Sequence, residues 1–544
     1  MSSSPFARLF HRKSVDRLAA EAAAGEFGLK RALGPLELIA LGIGAIVGAG
    51  IFLTVGTAAA GESAVRPGAG PAIVLSFVGT AVACGLCGLC YAEMAAMIPI
   101  SGSAYTYAYA TLGELCAWII GWDLLIEYAA GNVAVAISWS GYFQALLRDG
   151  GAALLGTPVA LPGWLVDGYR TASETTKAAA PHLLGVPILL NLPAVAIVLF
   201  LTWILVLGVK ESSRFNTVMV GVKLVVLLFF VALGLSFFDA KNWFPPDAPS
   251  KWAGFAPNGF RGIMTGAAIV FFAYIGFDAV STAAEEAKNP KRDMPVGILG
   301  SLVICTVLYM VVAAVLTGMT SWKRLNVEDP LSVALADKGM RGASAFVAFG
   351  SVVAHTAVLL VFQLGQPRIF FSMARDGLLP RWCTAVHPRY RTPHVTTILT
   401  GLAVAFFAAF FPIDEIVDLT NIGTLFAFAI VCGGVLVLRV IDPGRPRPFR
   451  VRGVWFVAPA GIASCFYLTK YLPPAAWFRF GLWLVGGLIL YFTCVVANGW
   501  LQSRGVRPRV ARAATGAAAA LLLAAGLWAT LRFDLWNQFV RPAG

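Results

Sequence analysis

Five ionisable side chains stand in stretches too apolar to suit them. Lys223 lies in NTVMVGVKLVVLLFFVALG, Asp123 and Glu127 in GWDLLIEYAAGNVAVA, Asp278 in VFFAYIGFDAV, and His355 in GSVVAHTAVLLVF. A charge in so apolar a run is costly and is kept where it has a partner and a task. Side chains whose charge state is finely balanced by burial and neighbours can take up and release protons. Proton binding is therefore the chemistry these residue types suggest. No pair of carboxylates and no His/Glu set has the spacing of a catalytic or metal centre. Lys223 has two readings: its stem snorkels toward the nearer helix end, about 9 Å away at ~1.5 Å per residue, or its ammonium is buried against a partner. Glu127 must be paired or protonated, and Asp123, one turn earlier on the same face, can share its role. His355 is either a relay or a packing histidine. Glu93 and Asp418, near span ends, read as packing charges.

The elements that position these groups follow from composition. The chain has 544 residues, 58% hydrophobic and 13% charged. A soluble chain carries roughly a quarter charged residues. Runs of about 20 apolar residues, enough to cross ~30 Å of hydrocarbon as helix, recur throughout. Lipid offers the backbone no hydrogen-bond partner, so these runs are helices, and none alternates as a barrel strand would. The predicted spans are 36–60, 71–97, 113–143, 187–208, 216–237, 260–284, 296–317, 343–371, 395–411, 416–438, 454–472, 477–496 and 514–531. The last, rich in alanine, either spans or lies in the interface, so the count is twelve or thirteen. The longest loop on the outer side is expected from about Leu147 to Val186.

The formal net charge is +13. Its placement argues against nucleic acid. Basic residues gather in alternate loops: Arg8 to Arg31, Lys288 to Arg292, Arg375 to Arg391, Arg445 to Arg452 and Arg504 to Arg512. This is the positive-inside pattern, and it predicts a cytoplasmic N-terminus. The stretch after Ser14, VDRLAAEAAA, reads as a short cytoplasmic helix on the membrane surface; with no apolar core before Leu36, it is not a signal peptide. Cys84, Cys87 and Cys90 share one helix face, as close helix packing requires. No nucleotide-binding GxxxxGK[ST] loop occurs.

Two spans are interrupted. The first contains GIGAIVGAGIF, with Gly42, Gly44, Gly48 and Gly50. Such a cluster is either a close-packing face or an unwound segment. The sixth carries Gly276 and Asp278 deep in an apolar run, where Asp278 can cap a second half-helix. The first and sixth spans hold matching places in two five-span halves. That is the mark of an inverted-repeat secondary transporter with its site between the breaks. Half-helix N-termini offer N–H groups to a carboxylate, and half-helix C-termini offer carbonyls to an ammonium. A site with both fits a free amino acid.

GIGAIVGAGIF, GWDLLIEY, VFFAYIGFDAVSTAAEEAKNPKRDMP and GQPRIFFSMARDGLLP resemble the amino acid–polyamine–organocation (APC) superfamily, within it the bacterial relatives of the cationic amino acid transporters. The resemblance runs from about Leu33 to Val496. It implies an all-α membrane protein: a polytopic bundle with a five-plus-five inverted repeat (LeuT-like), two further spans, and first and sixth helices unwound. It implies that the backbone of Ile46, Gly48, Ala49 and Gly50 meets a substrate carboxylate, and that carbonyls of Phe272, Ala273 and Ile275 meet the amino group, with Phe272 as gate. Relatives often have a hydroxyl residue where Ala49 stands. Phe362, aligned on GQPR, falls at the side-chain end of the pocket, favouring small or medium neutral substrates over cationic ones; otherwise it is a packing aromatic. In this fold the fifth span passes the unwound first span. Lys223 can there occupy the place of a coupling sodium, with Glu127 as its charge partner.

The expected organisation is a cytoplasmic segment at 1–34, a transporter core at 35–500 and a basic loop with an extra helix at 501–544. The expected activity is secondary active amino acid transport, with protons as coupling ion and no cofactor or metal. The alternatives are exchange of amino acids or polyamines, or transport of cationic amino acids; an enzyme or channel is not favoured. The expected partners are an amino acid, the proton and the bilayer of the bacterial cell membrane, with room for a small single-span membrane protein.

Overall fold

A computed structural model describes residues 9–16, 33–100, 102–168, 172–183, 186–208, 213–390, 392–504 and 506–532. The helix expected after Ser14 lies mostly outside the described residues. Among them, eight helices are long and apolar enough to cross a membrane. A bent pair, Pro35–Ile46 and Gly50–Ala60, makes a ninth, and four shorter apolar helices complete the set. Every predicted span has its helix. Strand pairing among the described residues is a two-residue ladder, His182–Leu183 with Val186–Pro187.

The third span differs in length from its expected bounds. Its helix runs Glu114–Leu155, well beyond Phe143. The residues after Phe143 (QALLRDGGAALL) keep good helix formers, and the helix stops where Gly156 takes a left-handed φ of 75°. The loop after the third span therefore begins later than composition suggested. The last helix, Pro508–Arg532, is continuous through the expected thirteenth segment.

Helix contacts are made by small and apolar side chains, because lipid removes most of the hydrophobic drive between helices. Cys84, Cys87 and Cys90 are fully buried on the second span, Ile73–Met97. The Cys87 sulfur lies 3.6 Å from that of Cys465 on the eleventh span, Val454–Thr469. The cysteine face is thus a packing seam.

Buried ion pairs pin both ends of the bundle. At the face carrying the basic loops, Arg439 Nη2 lies 2.6 Å from Glu93 Oε2, which also accepts from Val451 N at 2.7 Å. At the opposite face, both terminal nitrogens of Arg66 donate to Asp418, at 2.6 and 2.9 Å. Glu93 and Asp418 are thus packing charges. Arg66→Ala is expected to leave Asp418 buried without its cation, at a cost of about 3–5 kcal/mol. The thermal midpoint of the detergent-solubilised protein should fall clearly. The double change Arg66→Met/Asp418→Leu should recover most of it, and an unchanged midpoint in the single variant would remove the pair from the list of anchors.

Candidate functional site

The first span stops being an α-helix at Ile46 and resumes at Gly50 as one π-turn, Gly50–Thr54, with a 46° bend between its halves. The sixth runs as α-helix over Gly259–Val270 and tightens to a 3-10 turn at Phe271–Tyr274. It is extended at Ile275 (φ −62°, ψ 129°), turns through Gly276 at φ 123°, and continues as 3-10 helix over Asp278–Glu286. Both breaks are buried.

The breaks touch each other twice. A methyl group on Gly50 would run into the backbone of Ala273, and one on Gly276 would sit 2.8 Å from the Ala45 carbonyl carbon. Both glycines are therefore required by close backbone approach, and Gly276 also by its positive φ. The glycine cluster combines the two readings open from sequence. The chain unwinds between Ile46 and Gly50, while Gly48 also packs closely, its missing Cβ facing Val358 of the eighth span (Arg341–Arg375) at 2.8 Å.

Ending the first half-helix at Ile46 frees its last carbonyls, since Gly44, Ala45 and Ile46 lose their partners four residues on. The structure answers two of them with side chains. Lys223 Nζ donates to Gly44 O at 2.6 Å, and Tyr309 OH donates to Ile46 O at 2.8 Å. The Ala45 carbonyl faces Gly276. A helix C-terminus carries partial negative charge, which favours an ammonium there. Lys223 is fully buried, so its stem does not snorkel to a surface. On the other strand of the break, Gly48 O accepts from Ile51 N and Phe52 N, at 3.2 and 3.3 Å. The N–H groups of Gly48 and Ala49 have no backbone acceptor among the described residues.

The sixth-span break supplies the opposite polarity. Phe272 O accepts from Ile275 N at 3.3 Å, whereas the Ala273 and Ile275 carbonyls have no backbone donor among the described residues. Asp278 Oδ1 accepts from Gly276 N at 3.3 Å. Asp278 therefore steadies the turn itself and does not cap the following half-helix in the usual manner, because that half starts as a 3-10 turn with Phe277 at its cap.

Of the residues singled out from sequence, Ile46, Gly48, Ala49, Gly50, Phe272, Ala273 and Ile275 come together at this crossing. Phe362 is 6% exposed and sits edge-on to Tyr128, ring centroids 5.4 Å apart, above Gly131 of the third span. It faces the protein and not lipid. Val358, one turn toward the opposite face, is the eighth-span residue that meets the first-span break. Glu127 is buried but forms no ion pair with Lys223. It shares its electrostatic surroundings with Asp278 and Asp123, and both Asp123 oxygens are buried without a hydrogen-bond donor. The pairing expected between Lys223 and Glu127 is therefore replaced by a carbonyl partner for the one and an acidic neighbourhood for the other. His355 is a packing residue: its Nδ1 lies 2.6 Å from Ser351 O and its Nε2 2.8 Å from Ser138 Oγ, which satisfies a neutral ring.

Tyr309 was not found from sequence. A tyrosine hydroxyl deep in an apolar span needs a partner, and that signal was there to be read. Tyr309→Phe keeps the ring packed against Phe77 and Tyr274 but leaves the Ile46 carbonyl unsatisfied, at about 1–3 kcal/mol. Substrate affinity is expected to fall by roughly five- to 100-fold. An unchanged KM would take the Ile46 carbonyl out of the site.

A bundle of apolar helices whose first and sixth members are interrupted, and cross at those interruptions, defines a membrane transporter of the inverted-repeat class. The chain belongs to the amino acid permease family, which it matches over residues 33–504. It is 43% identical over 485 residues to the branched-chain amino acid permease BcaP of Bacillus subtilis (strain 168), covering 89% of this chain and 97% of that one. It is 41% identical over 488 residues to the methylthioribose transporter of the same organism, with the same coverage. It is 38% identical over 435 residues to the vacuolar cationic amino acid transporter 4 of Arabidopsis thaliana, covering 80% and 68%.

Proposed function

We propose that the protein is a proton-coupled symporter of neutral amino acids, set in the bacterial cell membrane with its N-terminus in the cytoplasm. The observation that carries the reading is the Lys223 ammonium on the Gly44 carbonyl, the position that unwinding of the first span frees. A fixed cation there fills the place that a mobile metal cation would otherwise take. Losing its proton weakens its hold on the carbonyl and loosens the half-helix Pro35–Ile46; regaining it tightens that hold. Protonation is thereby tied to movement of the first span and so to alternating access.

The substrate lies between the breaks. Its carboxylate meets the free N–H groups at Gly48 and Ala49, its ammonium meets the Ala273 and Ile275 carbonyls, and Phe272 closes over it. Ala49 offers no hydroxyl, so the carboxylate is held by backbone alone. Phe362 with Tyr128 limits the side-chain end and favours small or medium aliphatic substrates, in keeping with the relative named for branched-chain amino acids. Glu127 is the second proton-coupling group, acting with Asp123 and Asp278. The basic loops support the cytoplasmic N-terminus.

Proteoliposome uptake tests this. Leucine, isoleucine or valine should accumulate when the lumen is alkaline, and collapse of the pH gradient should abolish accumulation. Arginine and lysine should compete poorly. Uptake that ignores the gradient and needs internal substrate would replace symport with exchange.

A further inference from the structure

The loop that joins the tenth span, Ile413–Ile441, to the eleventh carries four arginines, and a fifth, Arg439, stands near the end of the span itself. Three of the five are engaged inside the protein. Arg439 pairs with Glu93 at 2.6 Å. Arg447, its side chain 4% exposed, lies 3.3 Å from Glu93 Oε1 and donates to the carbonyls of Leu438 and Asp442, at 3.2 and 2.8 Å. Arg445 reaches Asp442 at 2.6 Å and Asp16 at 3.0 Å. Arg450 and Arg452 are exposed, and neither has an acid or a hydrogen-bond acceptor among the described residues. Val451 between them fixes where they stand. It is buried; its N–H donates to Glu93 Oε2 at 2.7 Å, and its carbonyl accepts from Arg439 Nη2 at 3.4 Å. With Val451 tied inward at both backbone groups, its two neighbours stand outward as a pair of cations.

Among the described residues, three carboxylates thus face five arginines, and the excess charge is at the surface. The excess is felt within the loop. Loss of water contact, then the Arg439 and Arg450 charges, hold the Arg447 guanidinium below its ordinary value, against the pull of Glu93 and Asp442. A separate observation concerns what lies beside the pair. Trp455 and Phe456, in the first turn of the eleventh helix, are 65% and 76% exposed, and Val440 and Ile441, at the end of the tenth, are exposed as well. The contact of Arg439 with Val451 brings the two helix ends to one level. Apolar side chains so exposed at a helix end belong in hydrocarbon, and a tryptophan there marks the boundary with the headgroups. The two free arginines stand at that boundary, where lipid phosphates lie.

We propose that this corner of the bundle binds one anionic phospholipid, its phosphate held by Arg450 and Arg452 and its acyl chains lying along Trp455, Phe456, Val440 and Ile441. Arginine suits a phosphate because its planar fork gives two parallel charge-assisted hydrogen bonds. A zwitterionic headgroup brings an ammonium that opposes the two cations. A soluble phosphate leaves the apolar shelf unused. The bound lipid completes the charge balance of the loop and steadies Val451 against Glu93 of the second span. Such binding needs neither transport nor proton coupling.

The test uses the full chain in micelles of a neutral detergent. It is titrated with dioleoyl phosphatidylglycerol and, separately, with dioleoyl phosphatidylcholine, and binding is read by native mass spectrometry and by the thermal midpoint. Wild type should hold the anionic lipid at least about tenfold more tightly than the zwitterionic one, and its midpoint should rise with the anionic lipid alone. Arg450→Gln/Arg452→Gln should lose about tenfold or more of that affinity and keep the lipid-free midpoint, since both side chains are exposed. Trp455→Ala/Phe456→Ala should also bind more weakly. Arg381→Gln/Arg389→Gln, which removes the same charge from another basic loop, should bind as wild type does. Equal affinity for the two lipids overturns the site, as does unchanged affinity in either the Arg450/Arg452 or the Trp455/Phe456 variant. An equal loss in the Arg381/Arg389 variant overturns it too, because it marks diffuse attraction to the whole basic face. So does displacement of the lipid by millimolar glycerol phosphate, which would show that a phosphate without chains suffices.

Discussion

Lys223→Met in proteoliposomes is expected to end proton-driven accumulation of substrate. The ammonium makes a charge-assisted hydrogen bond to Gly44 O at 2.6 Å, worth about 1.5–3 kcal/mol. Removing it also strips a buried carbonyl of its donor at the break. Initial uptake on a pH gradient should fall by at least about tenfold, and steady-state accumulation should fall to equilibrium with the outside. Methionine keeps the length and apolar packing of the stem among its neighbours, so the protein should still fold. Lys223→Arg, which cannot give up its proton at accessible pH, should keep the contact and lose the coupling. Substrate concentrated on a proton gradient by either variant would defeat the assignment of Lys223. Glu127→Gln gives the companion measurement: a shifted pH profile with binding kept supports its coupling role, and an unaltered profile removes it.

Gly50→Ala is expected to be nearly as severe by another route. A methyl there meets the backbone of Ala273, and backbone cannot step aside as a flexible side-chain tip can. Overpacking of this kind costs about 1–3 kcal/mol or more, and here it falls on the contact that sets the distance between the two breaks. Transport should drop by roughly 100-fold or more, with the helical content of the purified protein kept. Gly276→Ala adds conformational strain at φ 123° to a clash with the Ala45 carbonyl, about 1–3 kcal/mol for the backbone alone. The two substitutions should not be additive, since both push the same pair of segments apart. Near-normal uptake by Gly50→Ala would mean the halves separate readily and the crossing is not the site.

The helices themselves were legible because the bilayer leaves a long apolar run one structure it can adopt. The breaks were legible because Gly42 to Gly50, and Gly276 with Asp278, violate that run where helix is otherwise unavoidable. What interrupts a strong local pattern is easy to see. The length of the third span was misjudged, because the helix-forming stretch beyond Phe143 is less apolar and its end is set by the left-handed Gly156.

Partners were legible only in part. Lys223 was marked by its isolation, and the fold to which the chain is similar pointed to the first span as its neighbour. Its partner carbonyl, Gly44, has no side chain to announce it. Glu127 and Lys223 carry opposite charges and invite pairing on paper. In the bundle Glu127 has Asp278 and Asp123 as its charged neighbours, while Lys223 donates to Gly44 of the first half-helix. Tyr309 and Val358 come from other spans, hundreds of residues from the first break.

The amino-acid sequence by itself determined that this chain crosses a membrane as helices, where two of those helices fail, and that a charge lies beside them, because each of these follows from local composition in a solvent without hydrogen bonds. Only the tertiary structure decided which freed carbonyl each donor reaches, and that Gly50 and Gly276 each abut the other break. Those are distances between segments far apart in the chain, and they are fixed by how helices pack, which no local pattern records.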